Sequence, residues 1–375
     1  MDLLVKSIEK WRRELHQIPE LGLEEYKTTD YLERELISMG YKCDRILETG
    51  LVVFIDYKQN ETIAFRSDID ALRVDEKTNC DYTSLHDGLM HACGHDGHMA
   101  TLLGLAKYLK DSNQRTFSKN ILLIFQPAEE SPGAARLLME KGIKDKYNLV
   151  EIYGMHLMPS IDEGIIACKS GPLMSECGEL YVTVHGKDAH VGLYHKGIDS
   201  IMITTLLINQ YQLILSRQVD PLENALIHVG KIQGGTTGNS VAAKTSVVGT
   251  LRTFDEKLFV DITTKMKKIN KAFEEAYGVK VDFHCEPMYP PVINDDNLYN
   301  KFVLLGFKNY QELKRPLMLG EDFSFYQREI PGIFFFLGTK TEEYASGLHT
   351  DTFNFNEAVL MQGLEVYLKI IDQIK

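Results

Sequence analysis

The sequence predicts a two-domain protein of the α/β class. Three observations support this fold class. At 375 residues the chain is long for a single average domain. Its first 170 or so residues alternate strand and helix patterns, and a segment with a different order of elements begins near Gly178. The composition, 44% hydrophobic and 25% charged, is typical of a folded globular chain.

The first part of the chain alternates strands with helices of about a dozen residues, which predicts a largely parallel sheet. Its elements are predicted at Val5–Gln17 (helix), Tyr26–Met39 (helix), Ile63–Phe65 (strand), Asn120–Phe125 (strand) and Val150–Tyr153 (strand). Apolar residues from Met99 to Leu109 recur at helical spacing, so another helix is predicted there, with Asp96 as its N-cap.

The segment after Gly178 has the order strand–helix–strand–strand–helix–strand, which is that of a ferredoxin-like sandwich. Its elements are predicted at Glu179–His185, Asp199–Arg217, Ala225–Ile232, Lys244–Arg252, Glu256–Tyr277 and Lys280–Glu286. Helix and strand alternation resumes after Pro290, so this segment is inserted into the first domain. We therefore expect one domain of residues 1–177 and 290–375, and a second of residues 178–289.

Charge and hydropathy exclude several classes of function. The net charge of −12 disfavours a nucleic-acid surface, which usually needs a basic patch. The N-terminus lacks the apolar core of a signal peptide, and no apolar run is long enough to cross a membrane. We expect a cytoplasmic protein, in which most of the six cysteines are reduced and buried.

A histidine-rich stretch, MHACGHDGHM, spans Met90–Met99. Cys93 and His95 are two residues apart, so in extended backbone their side chains point to one side. The glycines at 94 and 97 allow tight turns around them. The pattern indicates a metal site, although a polar loop with satisfied hydrogen bonds is an alternative.

Three other stretches place polar side chains just after predicted strands. FRSDID contains Asp68, QPAEES contains Glu129 and Glu130, and YGMHLMP contains His156. Ligands of open α/β sheets bind outside the carboxyl ends of the strands, so these side chains are expected to converge with the Cys93 loop. Each alone could be a helix cap or a solvated loop residue, but the four together predict a metal centre.

The adjacent glutamates suggest a division of labour. Neighbouring side chains point in different directions, so one carboxylate can bind a metal while the other acts as a general base on a metal-activated water. Thiolate, imidazole and carboxylate ligands together suit Zn²⁺, Mn²⁺, Co²⁺ or Ni²⁺ better than Mg²⁺ or Ca²⁺, which prefer oxygen ligands.

The motifs in chain order resemble those of the M20 metallopeptidase family. More narrowly, they resemble its amidohydrolase branch, which includes hippurate, indole-acetyl-amino-acid and N-acetyl-diaminopimelate hydrolases. The similarity covers nearly the whole chain. It is carried by LHQIPELGLEE, RSDIDAL, MHACGHDGH, QPAEESPG, GMHL, GKDAH, GEDFSFY and GLHTDTF.

This resemblance implies a catalytic domain with two divalent metal ions and an inserted lid domain through which two chains form a homodimer. The implied metal ligands are Cys93, His95, Glu130, His156 and His349. Glu129 would be the general base, and Asp68 would orient a ligand. Peptidase branches of the family have a metal-binding histidine two residues before that aspartate, where this chain has Arg66.

Three residues of the inserted domain have implied roles in binding or catalysis. The counterpart of His190 reaches the partner's active site and stabilises the oxyanion; an ordinary surface histidine is the alternative. Related sequences often have a proline shortly after it, which HVGLYHKG lacks. Asn239 and Arg252 are candidates for binding the substrate's α-carboxylate, Arg252 through its bidentate fork or, alternatively, through a structural salt bridge. Other histidines receive simpler interpretations, and His16 is expected to be a capping or packing residue.

The resulting hypothesis is a metal-dependent hydrolase of N-acyl amino acids, most specifically N-acetyl-L,L-diaminopimelate. Hippurate-type or general N-acyl-amino-acid hydrolysis and dipeptide cleavage are alternatives. A non-catalytic metal-binding scaffold of the same fold is a hypothesis of another class, and so is a thiol enzyme that uses Cys93 as nucleophile. A base deaminase is disfavoured because the chain has no PCxxC stretch.

Overall fold

The computed structural model describes residues 2–112 and 116–375. The chain folds into two compact units. The first unit comprises Met1–Leu173, Val292–Pro316 and Glu321–Lys375. The second comprises Met174–Pro291 and Leu317–Gly320.

Ten α-helices occur in the described part of the chain. They are α1 Asp2–His16, α2 Tyr26–Ser38, α3 His95–Asp111, α4 Ala134–Glu140, α5 Ile143–Tyr147, α6 Ser200–Arg217, α7 Glu256–Tyr277, α8 Asp296–Leu304, α9 Ser324–Gln327 and α10 Leu360–Asp372. Short 3₁₀ helices are also present, at Val191–Lys196 and Glu357–Val359.

The strands described in residues 2–112 and 116–375 number sixteen. They are β1 Asp44–Ile46, β2 Gly50–Ile55, β3 Thr62–Asp68, β4 Asn120–Gln126, β5 Leu149–Asp162, β6 Ile166–Cys168, β7 Gly171–Met174, β8 Glu176–His185, β9 Ala189–His190, β10 Ala225–Gly234, β11 Ser240–Val241, β12 Lys244–Thr253, β13 Lys280–Tyr289, β14 Val292–Asn294, β15 Tyr310–Glu312 and β16 Gly332–Lys340.

The first unit is built on a sheet with the strand order β1-β2-β4-β3-β5-β16-β6-β15. Its central strands β4, β3, β5 and β16 run parallel, whereas β2 and β6 pair antiparallel with their neighbours β4 and β16. Every residue of β3 and β4 is buried. Burial along the whole strand is typical of parallel strands covered on both faces. Helix α3 packs on this sheet and contacts α1 and α10.

The parallel arrangement places the carboxyl ends of neighbouring strands at one edge of the sheet. Asp68 is the last residue of β3, and it pairs in register with Gln126 at the end of β4. Arg66, two residues before Asp68 on the same strand, is opposite Gly154 of β5. The turn that follows β4 carries Glu129 and Glu130. Asp68, Glu129 and Glu130 therefore start from adjacent strand ends.

The second unit contains a four-stranded antiparallel sheet with the order β10-β12-β8-β13. Numbered along the chain, this is the 2-3-1-4 order of a ferredoxin-like sandwich. Helices α6 and α7 pack on the sheet around a core that includes Leu180, Tyr211, Phe259 and Met266. The short strands β9 and β11 form a separate antiparallel pair.

The predicted fold class is confirmed: a mixed α/β chain with a large, mostly parallel central sheet. Two local expectations are wrong. Asp96 is not the N-cap of its helix, because α3 begins one residue earlier, at His95, after Gly94. His156 does not follow the end of a strand, because β5 continues through it to Asp162 alongside β16. Among the described residues, no helix is long and apolar enough to span a lipid bilayer.

Candidate metal centre

A left-handed glycine directs the Cys93 loop into the start of α3. Gly94 has φ +89°, a conformation that L-residues with a Cβ adopt at a cost. A Cβ atom there would also lie 3.1 Å from Cδ1 of Leu157. This turn brings the side chain of Cys93, before α3, close to that of His95, the first residue of α3. The positive φ therefore favours glycine at 94, and a Cβ there would also require a small shift of the Leu157 side chain.

One group of potential ligands consists of Cys93, His95 and His156, whose ligand atoms lie within 4.8 Å of one another. The Sγ atom of Cys93 is 3.3 Å from Nε2 of His156. His95 donates Nδ1–H to the carbonyl of Asp70 at 2.9 Å, and His156 donates Nδ1–H to that of Leu157 at 2.6 Å. Because a carbonyl can only accept, both imidazoles present Nε2 as the ligand atom.

A second group consists of Cys93, Glu130 and His349, again with ligand atoms within 4.8 Å. The Oε1 atom of Glu130 lies 3.2 Å from Nε2 of His349 and 4.0 Å from Nε2 of His95. Burial opposes ionisation of Glu130, but the hydrogen bond with His349 and the charge of His95 lower its pKa. Cys93 belongs to both groups, so its sulfur lies between them.

Glu129 is buried beside these ligands. It forms a further potential ligand group with His95 and Glu130. Burial raises the pKa of Glu129 well above its ordinary value, and the negative charges of Glu321 and Glu130 add to this effect. A carboxylate in such surroundings accepts a proton readily, which is the property that a general base needs.

The carboxylates of Glu25 and Asp70 accept backbone hydrogen bonds from the turn that carries Glu129 and Glu130. Ala128 has φ +51°, which for a residue with a Cβ costs roughly 1–2 kcal/mol. Its N–H donates to Oε1 of Glu25 at 2.8 Å, and the N–H of Glu130 donates to Oδ2 of Asp70 at 2.9 Å. Burial and the charge of Asp70 raise the pKa of Glu25 to about 7.

Asp68 connects the ligands to the sheet. His98 accepts a hydrogen bond from the N–H of Leu157 at Nε2 and therefore donates Nδ1–H to Oδ1 of Asp68, at 2.7 Å. The other oxygen, Oδ2, lies 3.8 Å from Nε2 of His95. Burial opposes ionisation of Asp68, but the charge of His95, the hydrogen bond from His98 and the charge of Arg66 hold its pKa well below the usual range.

Arg66 is fully buried and neutralises several carboxylates at once. Its guanidinium lies 2.8 Å from Oδ2 of Asp68, 3.0 Å from Oε1 of Glu321 and 2.8 Å from Oδ1 of Asp322. It also donates to Oε1 of Gln126 at 2.9 Å. Five donors in a rigid fork can satisfy this many acceptors, which an ammonium cannot do in the same geometry.

The donor set fits a divalent transition-metal cation. It combines a thiolate precursor with imidazole nitrogens and a carboxylate, which favours Zn²⁺ and its neighbours in the first row. Among the described residues, Nε2 of His95 is buried without a hydrogen-bond partner. A buried polar atom without a partner costs free energy unless something occupies it. A cation bound between the two groups would remove this cost and would also favour the thiolate of Cys93, whose pKa burial raises in its absence.

The predicted residues of the second unit have their own local partners. His190 is exposed, and its Nδ1 accepts from the N–H of Gly192 at 3.1 Å, which leaves Nε2 as a donor. Oδ1 of Asn239 accepts from the hydroxyl of Thr237 at 2.9 Å. Arg252 donates to the carbonyl of Met318. The roles assigned to these three residues from the sequence stay predictions.

Several residues that support the site were not predicted from the sequence. Asp70 and Glu25 lie in the quoted motifs RSDIDAL and LHQIPELGLEE, so a signal for them was present, but nothing in the spacing linked them to the turn at 128. His16 was expected to cap or pack; it is instead a buried member of a charged network, bonded to Asp96 at 2.8 Å. Asp96 was predicted as an N-cap, but its carboxylate is used by His16 and by Arg12, at 2.9 Å.

Comparisons with known proteins identify a family and several relatives that match nearly the whole chain. Residues 64–373 match the model of peptidase family M20/M25/M40. An N-acetyldiaminopimelate deacetylase of Geobacillus sp. (strain WCH70) is 36% identical over 374 residues, covering 96% of each chain. An enzyme of the same name from Listeria monocytogenes is 35% identical over 367 residues, covering 96% of this chain and 97% of its own.

A solved structure is similar over the whole chain. The YxeP protein of Bacillus subtilis, described as a dinuclear metal-binding peptidase from the M20 family, superposes with a TM-score of 0.85. It is 29% identical in sequence, and the match covers 100% of this chain and 99% of that one.

Replacing Arg66 with methionine is expected to destabilise the first unit strongly, by about 3–5 kcal/mol, because it leaves buried carboxylates without their cation. The free energy of unfolding would be measured by urea denaturation in the presence of a chelator, so that metal binding does not contribute. Arg136→Met is the matched control, since Arg136 is 60% exposed and its loss should change stability by less than about 0.5 kcal/mol. Equal effects of the two substitutions would contradict the assigned role of Arg66.

Glu25→Gln is expected to stabilise the metal-free protein increasingly as pH rises from 5 to 8. With a folded pKa of about 7 against an ordinary 4.5, Glu25 holds a proton in the folded state that the unfolded chain has released. Its contribution to stability is therefore lost as pH rises through that window, by up to about 3 kcal/mol. Glutamine has no such loss.

The measurement is the melting temperature of parent and variant at both pH values. Glu24→Gln, at the neighbouring exposed position, is the control and should match the parent. A difference between Glu25→Gln and the parent that is the same at pH 5 and pH 8 would argue against the raised pKa.

Proposed function

Since the chain belongs to peptidase family M20/M25/M40 and is a metal-dependent hydrolase of amide bonds, we propose that it removes the acyl group from an N-acyl amino acid, with N-acetyl-L,L-diaminopimelate as the specific substrate. The observation that carries the proposal is Glu129, a buried carboxylate with a raised pKa beside two ligand groups that share Cys93. The choice of substrate is supported by the names of the relatives at 35% and 36% identity.

Cys93, His95, Glu130, His156 and His349 would hold the two divalent metal ions: Cys93, His95 and His156 lie together, and so do Cys93, Glu130 and His349. The ligand types favour Mn²⁺, Zn²⁺, Co²⁺ or Ni²⁺. A divalent cation at such a site polarises the amide carbonyl and lowers the pKa of water. Asp68 is a positioning residue: held by Arg66 and His98, it fixes the negative charge beside His95.

Glu129 is the proposed general base and acid. It removes a proton from the attacking water and then delivers that proton to the nitrogen of the leaving amine, as the C–N bond breaks and the acyl group departs as a carboxylic acid. A buried carboxylate with negative neighbours holds the proton well between the two steps. Glu130, directed at His349 and His95, is not free for this task.

The second unit is proposed to supply substrate recognition and the dimer interface. His190 of one chain would donate from Nε2 to the developing oxyanion in the active site of the partner, an interaction of the oxyanion-hole type. Its exposure and the use of Nδ1 by the N–H of Gly192 support this role. Asn239 and Arg252 would bind the α-carboxylate of the substrate.

Glu129→Gln is expected to lower kcat at least about 10²-fold without changing metal content, because it removes only the proton carrier. Release of free amine would be measured with chelated protein and with protein reloaded with Mn²⁺, Co²⁺ or Zn²⁺. The substrates are N-acetyl-L,L-diaminopimelate, hippurate, N-acetyl-methionine and a dipeptide. Glu140→Gln, on an exposed face of α4, is the matched control.

Turnover that returns with metal and is lost in Glu129→Gln would support the proposal, and the best substrate would name the specificity. Turnover by Glu129→Gln equal to that of the control would contradict the role of Glu129. A metal-loaded parent that hydrolyses none of these compounds would favour a binding or scaffold function.

The dimer can be tested by mixing two inactive variants, Glu129→Gln and His190→Asn. If His190 acts across the interface, a mixed dimer has one site with both groups intact, so refolding equal amounts together should recover about a quarter of the parent's turnover. Each variant refolded alone is the control. No recovery, with mixed dimers demonstrated by differently tagged chains, would place His190 in its own chain's site or outside catalysis.

A further inference from the structure

A second cluster of metal-ligating side chains, formed by His16, Glu76 and Cys80, lies in the first unit apart from the ligands already described. The ligand atoms of these three residues lie within 4.8 Å of one another. Nε2 of His16 is 3.2 Å from Oε1 of Glu76, and Sγ of Cys80 is 3.9 Å from the same oxygen. We propose that these residues form an additional binding site for a divalent transition-metal cation of the zinc type.

The distances match those between ligands of a tetrahedral zinc ion. With metal–nitrogen and metal–oxygen distances of about 2.0–2.2 Å and metal–sulfur distances of about 2.3 Å, tetrahedral angles separate nitrogen from oxygen by about 3.3 Å and sulfur from oxygen by about 3.6 Å. The observed separations of 3.2 Å and 3.9 Å need only small side-chain shifts. Imidazole, carboxylate and thiolate are all ligands of zinc, and a water completes the four.

The remaining nitrogen of His16 is already oriented. Its Nδ1 lies 2.8 Å from Oδ2 of Asp96, and Arg12 lies 2.9 Å from the same carboxylate through Nε. A carboxylate on the far nitrogen is the usual partner of a metal-bound histidine, because it fixes the ring and the tautomer. Asp96 would therefore support His16 without being a ligand.

The charges of the cluster favour replacement of two protons, one on His16 and one on Cys80, by a divalent cation. Both ring nitrogens of His16 face carboxylates, Asp96 and Glu76, and only the doubly protonated ring can donate to both. A divalent cation would displace the Nε2 proton of His16 and the Sγ proton of Cys80. The two protons that leave carry the same charge as the divalent cation that binds, so the net charge of the buried cluster does not change. Binding therefore adds no buried charge that would oppose it.

The site also has a route of entry. Cys80 is half-buried, whereas the side chain of Glu76 is 5% exposed and that of His16 behind it is fully buried. The hydroxyl of Thr78 contacts both Glu76 and Cys80. Burial opposes ionisation of Glu76, but the hydrogen bonds from His16 and Thr78 lower its pKa to about 2, so it offers an ionised ligand at neutral pH. The segment from 76 to 80 thus forms the outer wall of the site.

The test counts zinc per chain by elemental analysis after dialysis against a zinc-buffered solution, for the parent and for Cys80→Ser. We expect Cys80→Ser to hold one equivalent less than the parent. Cys43→Ser, also at a half-buried cysteine, is the matched control and should hold as much as the parent. Because the result is a difference, it does not depend on how many ions the catalytic centre holds or on whether the enzyme has the proposed activity.

A second measurement uses the unaltered protein. Alkylation of Cys80, followed by mass spectrometry of the digest, is expected to be fast in chelated protein and several-fold slower with zinc, while labelling of Cys43 in the same digest should not respond to zinc. Equal zinc content in the parent and Cys80→Ser, or unchanged alkylation of Cys80 with zinc, would overturn the proposal.

Discussion

The buried guanidinium of Arg66 balances the negative charge at the carboxyl ends of β3 and β4. Asp68, Glu321 and Asp322 all lie within 3.0 Å of it. Burial raises the pKa of Glu321 to about 8 and that of Asp322 to about 6, and Arg66 opposes both shifts. Without this cation the carboxylates would hold protons more firmly or move apart, because burial of unpaired charge costs several kcal/mol per ion. The position of Asp68 beside His95, and hence the shape of the metal centre, follows from this pairing.

The same principle holds the other side of the centre in place. Glu25 and Asp70 accept hydrogen bonds from the backbone around Glu129, so the turn after β4 is fixed by side chains that bind no metal themselves. Backbone carbonyls orient His95 and His156 in the same manner. Preorganisation of this kind allows a site to develop charge during a reaction without rearranging. It also explains why so many titratable groups around Glu129 are buried.

Helix α1 contributes more than packing to this arrangement. Its residues Arg12 and His16 pair with Asp96 in the first turn of α3, directly after His95. A helix that begins with a left-handed glycine has no capping side chain, so the cations of α1 take part in fixing its start. The cluster of Arg12, His16 and Asp96 is therefore joined to the candidate metal centre through Asp96, which directly follows His95 in the chain.

The sequence alone determined the fold class and the identity of the principal side chains. Strand and helix periodicity is a local property, and the ferredoxin-like order of the second unit could be predicted from it. Cys93, Glu130, His156 and Asp68 were identified because polar residues at strand ends and adjacent glutamates depart from local expectation. The roles of Cys93, Glu130 and His156 as ligands and of Asp68 as a positioning residue came from the resemblance of whole motifs, and these roles remain proposals.

The tertiary structure decided what no local pattern encodes. The contact between Arg66 and Glu321 joins residues more than 250 positions apart, and that between Glu25 and Ala128 joins residues about a hundred positions apart. Asp96 had the sequence signature of an N-cap, yet its Oδ2 pairs with Arg12 and His16, while its Oδ1 accepts the N–H of Gly97 within the helix. Which side chains share a charge depends on how the elements pack, and packing is a property of the folded chain as a whole.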